Sequence, residues 1–284
     1  MKRKFNKGFA GIVPVIVVGL LLFISCVVYF GLLRKGAVVN VPSVKVTVAG
    51  SGSASFALGN WAKYYEAKNP NVKFEFLPSA DAAVGIRGVK EKTLDIGVTS
   101  RKAKSEEEFS EMVTTKFVKD AVVFVVNKSV TEVTNLTAAQ LANIYTGKTT
   151  NWREVGGPNA KILVVDREEA ESSKKLFRDL YLGKKTVASD VTEVHSEKDV
   201  LLAVVSTPSS IGYLSYGRAK TADVNVLSLN GVNPVNGVVS GTYSMVRDYY
   251  IFTRVDSNQE VKDFVSFMTS QGMSLVGSFN YFKP

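Results

Sequence analysis

The chain has 284 residues, 45% of them hydrophobic and 21% charged, a composition typical of a globular protein with one large or two moderate domains. A single cysteine excludes an internal disulfide bond. The net charge of +9 arises mainly from six basic residues among the first 35, which contain no acid, and the 29 basic and 26 acidic residues that remain argue against nucleic-acid binding.

The N-terminus carries 25 consecutive uncharged residues, 9–33, with basic residues on both sides. This length can span a bilayer of about 30 Å, whereas the apolar part of a secretory signal has about 7–15 residues. We therefore expect residues 1–35 to be a cytoplasmic basic tip and a single-pass transmembrane signal anchor, because the heavier positive charge precedes the apolar run. Residues 36–43 would tether an extracytoplasmic globular part. A lipid-modified Cys26 is the alternative, although the residues after it stay apolar.

Hydrophobic runs of strand type alternate with segments of helical periodicity along the rest of the chain. This alternation predicts an α/β fold with mostly parallel sheets. The expected strands are residues 44–48, 72–76, 94–98, 121–126, 161–165, 211–214, 224–229 and 248–253. The expected helices are residues 55–68, 81–91, 137–146, 172–182, 196–205 and 257–271.

The segment NLTAAQLANIYTGKTTNWREVGG, residues 135–157, is the most specific motif. Asn135 is the expected N-cap of its helix, and Gly147 is the expected stop signal. Trp152 is expected to anchor the irregular segment that follows. The order and spacing of these residues resemble a segment of the phosphate-binding proteins of bacterial ABC importers.

Other segments carry the same resemblance. The runs VTVAGSGSASFALGNWAKYYEAKNPNVKFEF (46–76), TLDIGVTSR (93–101) and ILVVDREEAESSKKLF (162–177) are similar to the opening strand and loop, the third-strand loop and a helix start of that family. The resemblance implies a two-lobed, periplasmic-binding-protein-like α/β fold over residues 44–284, after the transmembrane helix. Lobe one would comprise about 44–117 and 232–284, and lobe two about 118–231.

The resemblance also implies a function and partners. The protein would be a membrane-tethered solute-binding protein that binds inorganic phosphate or a similar oxyanion between the lobes and delivers it to an ABC permease. No cofactor, metal or nucleic acid is implied, and we expect a monomer. The alternative is a degenerate domain of the same fold that acts as a sensing or interaction module without tight phosphate binding.

Three loops could supply the donors that an oxyanion requires. Matching them to the family gives a set of candidate ligand-binding residues: Ser51, Ser53, Ser100, Arg167, Ser172 and Ser173. The planar guanidinium of Arg167 suits a tetrahedral oxyanion, although a salt bridge to a neighbouring glutamate is the alternative. Arg101 follows Ser100 and can equally be a surface charge.

The sequence departs from the family pattern at several of these positions. Glu171 stands where the family has a donor serine, and Ser172 where it has glycine. Ala82 stands where a binding serine is expected, and Ser79 could replace it only in a rearranged loop. Ser100 takes the place of an aspartate that, in the family, accepts a hydrogen bond from protonated phosphate. Glu171 either points into the cleft and repels the anion or faces solvent and stabilises the first helical turn.

Catalysis receives little support from the sequence. His195 is the only histidine and is expected on a surface turn, and none of the usual metal or nucleophile motifs occurs. The carboxylates Glu168, Glu169 and Glu171 lie beside Arg167 and Lys174, which favours ion pairing over acid–base chemistry. We therefore expect a binding protein and not an enzyme.

Overall fold

The computed structural model describes residues 43–78 and 81–284. Most strands and helices begin and end close to the predicted positions. The exceptions include the strand predicted at 121–126, which begins at Met112, and the strand predicted at 224–229, which is two short strands. The strands are β1 (Val44–Gly50), β2 (Val72–Phe76), β3 (Ile96–Thr99), β4 (Met112–Val126), β5 (Asn135–Leu136), β6 (Leu163–Arg167), β7 (Thr192–Val194), β8 (Ser210–Ser215), β9 (Asn225–Val226), β10 (Ser228–Leu229) and β11 (Val246–Arg254).

Helices alternate with these strands, as the hydrophobic pattern predicts. They are α1 (Gly52–Lys68), α2 (Ala82–Lys90), α3 (Ala138–Tyr145), α4 (Ser172–Phe177), α5 (Glu197–Ser206), α6 (Tyr216–Ala219), α7 (Pro234–Ser240) and α8 (Gln259–Thr269). A π-helical turn, Arg178–Leu182, continues α4. The short elements β5, β7, α6 and α7 were not predicted.

The predicted signal anchor, the tether up to residue 42 and Cys26 lie outside the described residues. Among the helices that the structure describes, none is long and apolar enough to cross a bilayer.

Two parallel blocks of strands are joined by an antiparallel pair in the middle of the main sheet. The order is β2-β1-β3-β11-β4-β8-β6-β7, and β9 adds to β4. Strands pair in parallel within β2-β1-β3 and within β8-β6-β7. The expectation of mostly parallel pairing is thus wrong at the centre, where β4 runs antiparallel to both β11 and β8. β4 leads the chain from the first parallel block to the second, and β11 leads it back. The two strands therefore run in opposite directions where they pair.

Two hydrophobic core clusters flank this central pair. The first core cluster draws its buried residues from 46–118 and 249–281, and the second core cluster from 121–245. The predicted two-lobed architecture fits this division, while the numerical lobe bounds stay a prediction. Val238, Tyr243 and Met245, which the sequence analysis assigned to lobe one, pack in the second core cluster.

The motif at 135–157 is a scaffold segment of the second core cluster. Asn135 is not the N-cap of α3, because it lies in β5 and the cap is Thr137, whose hydroxyl accepts from the Gln140 N–H in a capping box. Gly147 adopts φ +73° just after the helix, in agreement with the predicted stop. Trp152 is fully buried, and its indole N–H donates to the Ser209 carbonyl at 2.8 Å.

The end of β1 lies against β3 at a glycine. Gly50 has φ +142°, and a Cβ atom there would lie 1.9 Å from the Val98 carbonyl oxygen. The next residue, Ser51, donates its backbone N–H to that same oxygen at 3.0 Å. Glycine is therefore required at position 50 to bring the loop that follows β1 close to the end of β3.

Candidate functional site

The loop after β1 brings small hydroxyl side chains to the end of the first parallel block. Ser51 is the N-cap of α1, but its side chain makes no capping hydrogen bond. Among the described residues, no partner contacts the buried hydroxyls of Ser51 and Ser55. Ser53 is also buried, at 6% exposure. Ala82 is the first residue of α2 and contributes no hydroxyl, and Ser79 lies outside the described residues.

The loop after β3 contributes Ser100 and not Arg101. The Ser100 hydroxyl donates to the Ser172 hydroxyl oxygen at 2.9 Å, which links the first parallel block to α4. Arg101 instead forms a bidentate ion pair with Glu107, with both N–O distances 2.6 Å. Hydrogen bonding from Arg101 lowers the pKa of Glu107 to about 2. Arg101 therefore has an ordinary structural partner.

Arg167 stands at the end of β6 with unused donors. Its side chain is 3% exposed, and its Nη2 lies 2.6 Å from a carboxylate oxygen of Glu171 and 2.9 Å from the His195 carbonyl oxygen. Within the described part of the chain, its Nε and Nη1 are buried without a hydrogen-bond partner. Ser173 is 1% exposed, and its hydroxyl also has no hydrogen-bond partner among the described residues. Such buried donors require an acceptor, because each buried donor left without a hydrogen bond costs about 1–3 kcal/mol.

Glu171 is 38% exposed and forms an ion pair with Arg167. This is the salt bridge to a neighbouring glutamate that the sequence left open as the alternative for Arg167. Glu171 occupies the N-cap position of α4 without a side-chain capping bond. His195 lies on the surface as expected, with its side chain 83% exposed and its ring beside Glu168.

A buried charged network at the central strand pair was missed by sequence analysis. Arg247 on β11 stands opposite Asp120 on β4, and its Nε and Nη2 donate to one carboxylate oxygen of Asp120 at 3.2 and 3.1 Å. The Tyr249 hydroxyl donates to the same oxygen at 2.7 Å. Arg247 also donates from Nη2 to Glu197 at 2.6 Å and from Nη1 to the Ser172 hydroxyl at 2.9 Å. The sequence contains one signal of this network, because Asp120 and Arg247 are charged residues within largely hydrophobic parts of β4 and β11.

This network continues towards the first core cluster through Arg218. The Arg218 Nε lies 3.9 Å from the second carboxylate oxygen of Glu197. The Arg218 guanidinium stacks over the ring of Phe56 on α1, 3.8 Å from its centroid. Attraction from Arg247 and then from Arg167 and Arg218 outweighs burial and lowers the pKa of Glu197. Glu197 is thus held ionised among three arginines.

A second buried ion pair supports the strand that carries Arg167. The ammonium of Lys174, on α4, pairs with the carboxylate of Asp166, and the two side chains are 1% and 3% exposed. The Tyr213 hydroxyl donates to the other oxygen of Asp166 at 2.7 Å. This pair connects α4 to β6 at the residue that precedes Arg167. Within the described residues, no cluster of His, Cys, Asp and Glu is arranged to hold a metal ion.

Asp120 makes stability depend on pH. Burial, with a smaller contribution from Glu197, raises its pKa to about 6 against the opposing attraction of Arg247. A raised carboxyl pKa means that the folded state binds the proton more tightly, so this stabilisation is complete below pH 3.8 and is lost as pH rises through 6. We expect the free energy of unfolding to rise by about 1 kcal/mol between pH 7.5 and 5 relative to Asp120→Asn, measured by urea denaturation. Equal pH dependence in both proteins would contradict this.

These contacts connect some of the predicted ligand-binding residues with one another. Ser100 and Ser172 touch, Ser172 and Ser173 follow Glu171, and Glu171 contacts Arg167. Ser51 and Ser53 lie at the start of α1, and the hydrogen bond from the Ser51 N–H to the Val98 carbonyl oxygen holds Ser51 beside β3, two residues before Ser100. The arrangement offers hydroxyl and guanidinium donors from both parallel blocks.

Comparison with known proteins decides the family. A profile described as a PBP superfamily domain matches residues 37–271. The phosphate-binding protein PstS of Borreliella burgdorferi is 32% identical over 237 residues, which cover 79% of this chain and 84% of that protein. The chain belongs to the phosphate-binding-protein family of the PBP superfamily. The predicted resemblance and the two-lobed fold are thereby confirmed.

Further family members agree with this assignment. The phosphate-binding protein PstS of Bacillus subtilis is 26% identical, covering 81% of this chain and 76% of that protein. A Clostridium perfringens protein solved with bound phosphate superposes with a TM-score of 0.73 at 26% identity, covering 85% of this chain and all of that chain. An ABC-type phosphate transport receptor from Vibrio cholerae superposes with a TM-score of 0.62 at 27% identity, again over 85% of this chain.

Proposed function

We propose that this phosphate-binding-protein family member captures inorganic phosphate, or a similar tetrahedral oxyanion, between its two lobes and delivers it to an ABC permease. The observation that carries the proposal is Arg167, whose buried Nε and Nη1 have no acceptor among the described residues. A permanently charged, planar donor group in this state suits an oxyanion, which offers acceptors in several directions.

The ligand contacts proposed beside Arg167 are hydroxyls. Ser51 and Ser53 would approach from the start of α1, and Ser172 and Ser173 from α4. Ser100 donates its single proton to Ser172 and would act on the anion through that hydroxyl. Support comes from the buried, unpartnered hydroxyls of Ser51 and Ser173 and from the Ser100–Ser172 contact between the two parallel blocks. Closure of the lobes would collect these donors around the anion, and opening would release it to the permease.

The location and partners follow from the same proposal. The uncharged run at 9–33 supports a single-pass anchor, with the binding domain outside the membrane and close to its permease. The protein would act as a monomer and would bind no nucleic acid. It would be a carrier and not an enzyme, because the relatives it matches are phosphate-binding proteins and a phosphate transport receptor.

A competing proposal is a degenerate module that senses or interacts without binding phosphate tightly. The ion pair between Glu171 and Arg167 favours it, since that carboxylate occupies one guanidinium nitrogen and adds a negative charge. Calorimetric titration of the purified chain with phosphate, sulfate and arsenate separates the two. Saturable binding of one of these anions supports the carrier, and no heat of binding with any of them supports the module.

Replacing Glu171 by serine is expected to strengthen phosphate binding more than tenfold. The change frees Arg167 Nη2 and removes a charge that repels a dianion, worth several kcal/mol if the two charges lie about 4 Å apart at an effective dielectric near 20. Calorimetry of Glu171→Ser against the unmodified protein measures the effect. Glu168→Ser is a matched control, because the two glutamate side chains are 39% and 38% exposed and Glu168 contacts His195 instead of Arg167. Equal affinities in all three proteins would show that Glu171 does not compete with the anion.

A further inference from the structure

Arg247 has a fixed orientation, because two buried carboxylates hold its guanidinium group. Its Nε and Nη2 donate to Asp120, and Nη2 donates to Glu197 as well. The Arg247 side chain is 6% exposed, and the two carboxylate side chains are 0% and 5% exposed. With both partners anchored, Nη1 can point in one direction only, towards the hydroxyl oxygen of Ser172 at 2.9 Å.

Ser172 receives a second hydrogen bond from the opposite block of strands. The Ser100 hydroxyl donates to the same Ser172 oxygen, also at 2.9 Å. A hydroxyl oxygen has two lone pairs and one proton. Because Arg247 and Ser100 use both lone pairs, the Ser172 hydroxyl has only its proton left for a further partner. Ser172 is thereby restricted to the role of donor.

The next residue along α4 has a free donor too. Ser173 follows Ser172, and its buried hydroxyl has no partner among the residues described. Arg167, with its own two free donors, is ion-paired to Glu171, the residue before Ser172. An acceptor-rich ligand at this position would meet donors from all three residues.

We propose that Arg247 is a positioning residue that, together with Ser100, orients the Ser172 hydroxyl as an obligate donor to the bound oxyanion. This inference rests on the proposed function and adds to it a residue that does not itself touch the ligand. Arg247 lies on the strand that returns between the two core clusters, and Ser100 lies on the first parallel block. The Ser172 hydroxyl is therefore oriented by two groups from separate segments of the chain.

A double-mutant cycle on phosphate affinity tests this role. Ser172→Ala is expected to raise the dissociation constant for inorganic phosphate about tenfold, and Arg247→Lys about fivefold, because lysine lacks the planar fork that aims Nη1. The double variant is expected to bind no more weakly than Ser172→Ala alone, since Arg247 acts through that hydroxyl. A merely structural role of Arg247 would weaken binding equally in the presence and absence of Ser172.

Arg254→Lys is the matched control, because Arg254 lies on the same strand and pairs with Asp256. It should leave affinity unchanged in both backgrounds. If Arg247→Lys does not fold, the Ser100→Ala and Ser172→Ala cycle replaces it, with the same expected lack of additivity. Additive effects, or an unchanged dissociation constant in Arg247→Lys, would overturn this inference while leaving the proposed function intact. Absence of oxyanion binding by the unmodified protein would overturn both.

Discussion

Replacing Arg167 by alanine should weaken phosphate binding at least about 30-fold, which corresponds to about 2 kcal/mol. Two buried guanidinium nitrogens of this residue lack a hydrogen-bond partner among the described residues, and a charge-assisted hydrogen bond contributes about 1.5–3 kcal/mol. The loss should appear mainly as faster dissociation, because the side chain is buried and contributes little to long-range attraction. Calorimetry gives the affinity, and stopped-flow fluorescence gives the dissociation rate.

Arg178→Ala provides the control for Arg167→Ala. Arg178 follows α4 and is engaged by Glu169, with one N–O distance of 2.6 Å, and by the carbonyl oxygen of Gly183 at 2.9 Å. Its removal changes the net charge of the protein by the same amount without touching the proposed site. A dissociation constant that is the same in Arg167→Ala and in Arg178→Ala would remove Arg167 from the site.

Replacing Lys174 by methionine should reduce the free energy of unfolding by about 3–5 kcal/mol. Methionine preserves most of the volume but leaves the buried carboxylate of Asp166 without its counter-ion, and the Tyr213 hydroxyl alone cannot compensate that charge. Urea denaturation monitored by tryptophan fluorescence measures the loss. A second substitution, Asp166→Asn, should recover a large part of it by removing the unpaired charge.

The neighbouring residue Lys175 is the control for this effect. It is exposed and on the same helix, so Lys175→Met should change stability by no more than about 0.5 kcal/mol. A loss below 1 kcal/mol in Lys174→Met would contradict the stabilising role assigned to this ion pair.

Local patterns were sufficient to predict most of the fold. The strand at 72–76 begins and ends as predicted, and Gly147 ends its helix by adopting a left-handed conformation that glycine tolerates. The N-cap at Thr137 could also have been predicted, since a threonine followed three residues later by glutamine is the capping-box pattern. Asn135 is also a favourable N-cap residue type, but Ala138 stands three positions after it and cannot complete a capping box.

Features that depend on distant partners were not predictable from one sequence. Asp120 and Arg247 are 127 residues apart and meet only because β4 and β11 pair. The ion pair of Glu171 with Arg167, by contrast, joins residues only four apart, and the sequence analysis included such a salt bridge as the alternative for Arg167. Arg167 was chosen as a candidate site residue because it lies at the end of a recognisable strand within a motif of the family, and its role in binding stays a prediction.

The opposed positions of Asp120 and Arg247 in the β4–β11 ladder also set the alignment of the two strands during folding. A slip of one residue would place Asp120 opposite Val246 or Asp248, leaving Arg247 without its partner and moving its side chain to the other face of the sheet. Either misalignment would bury an unpaired charge or oppose two carboxylates, at a cost far above that of a lost backbone hydrogen bond. The pair therefore favours the native alignment of β4 with β11 over an alignment shifted by one residue. Variants that make both positions apolar should fold with a mixture of strand alignments even where their total stability is preserved.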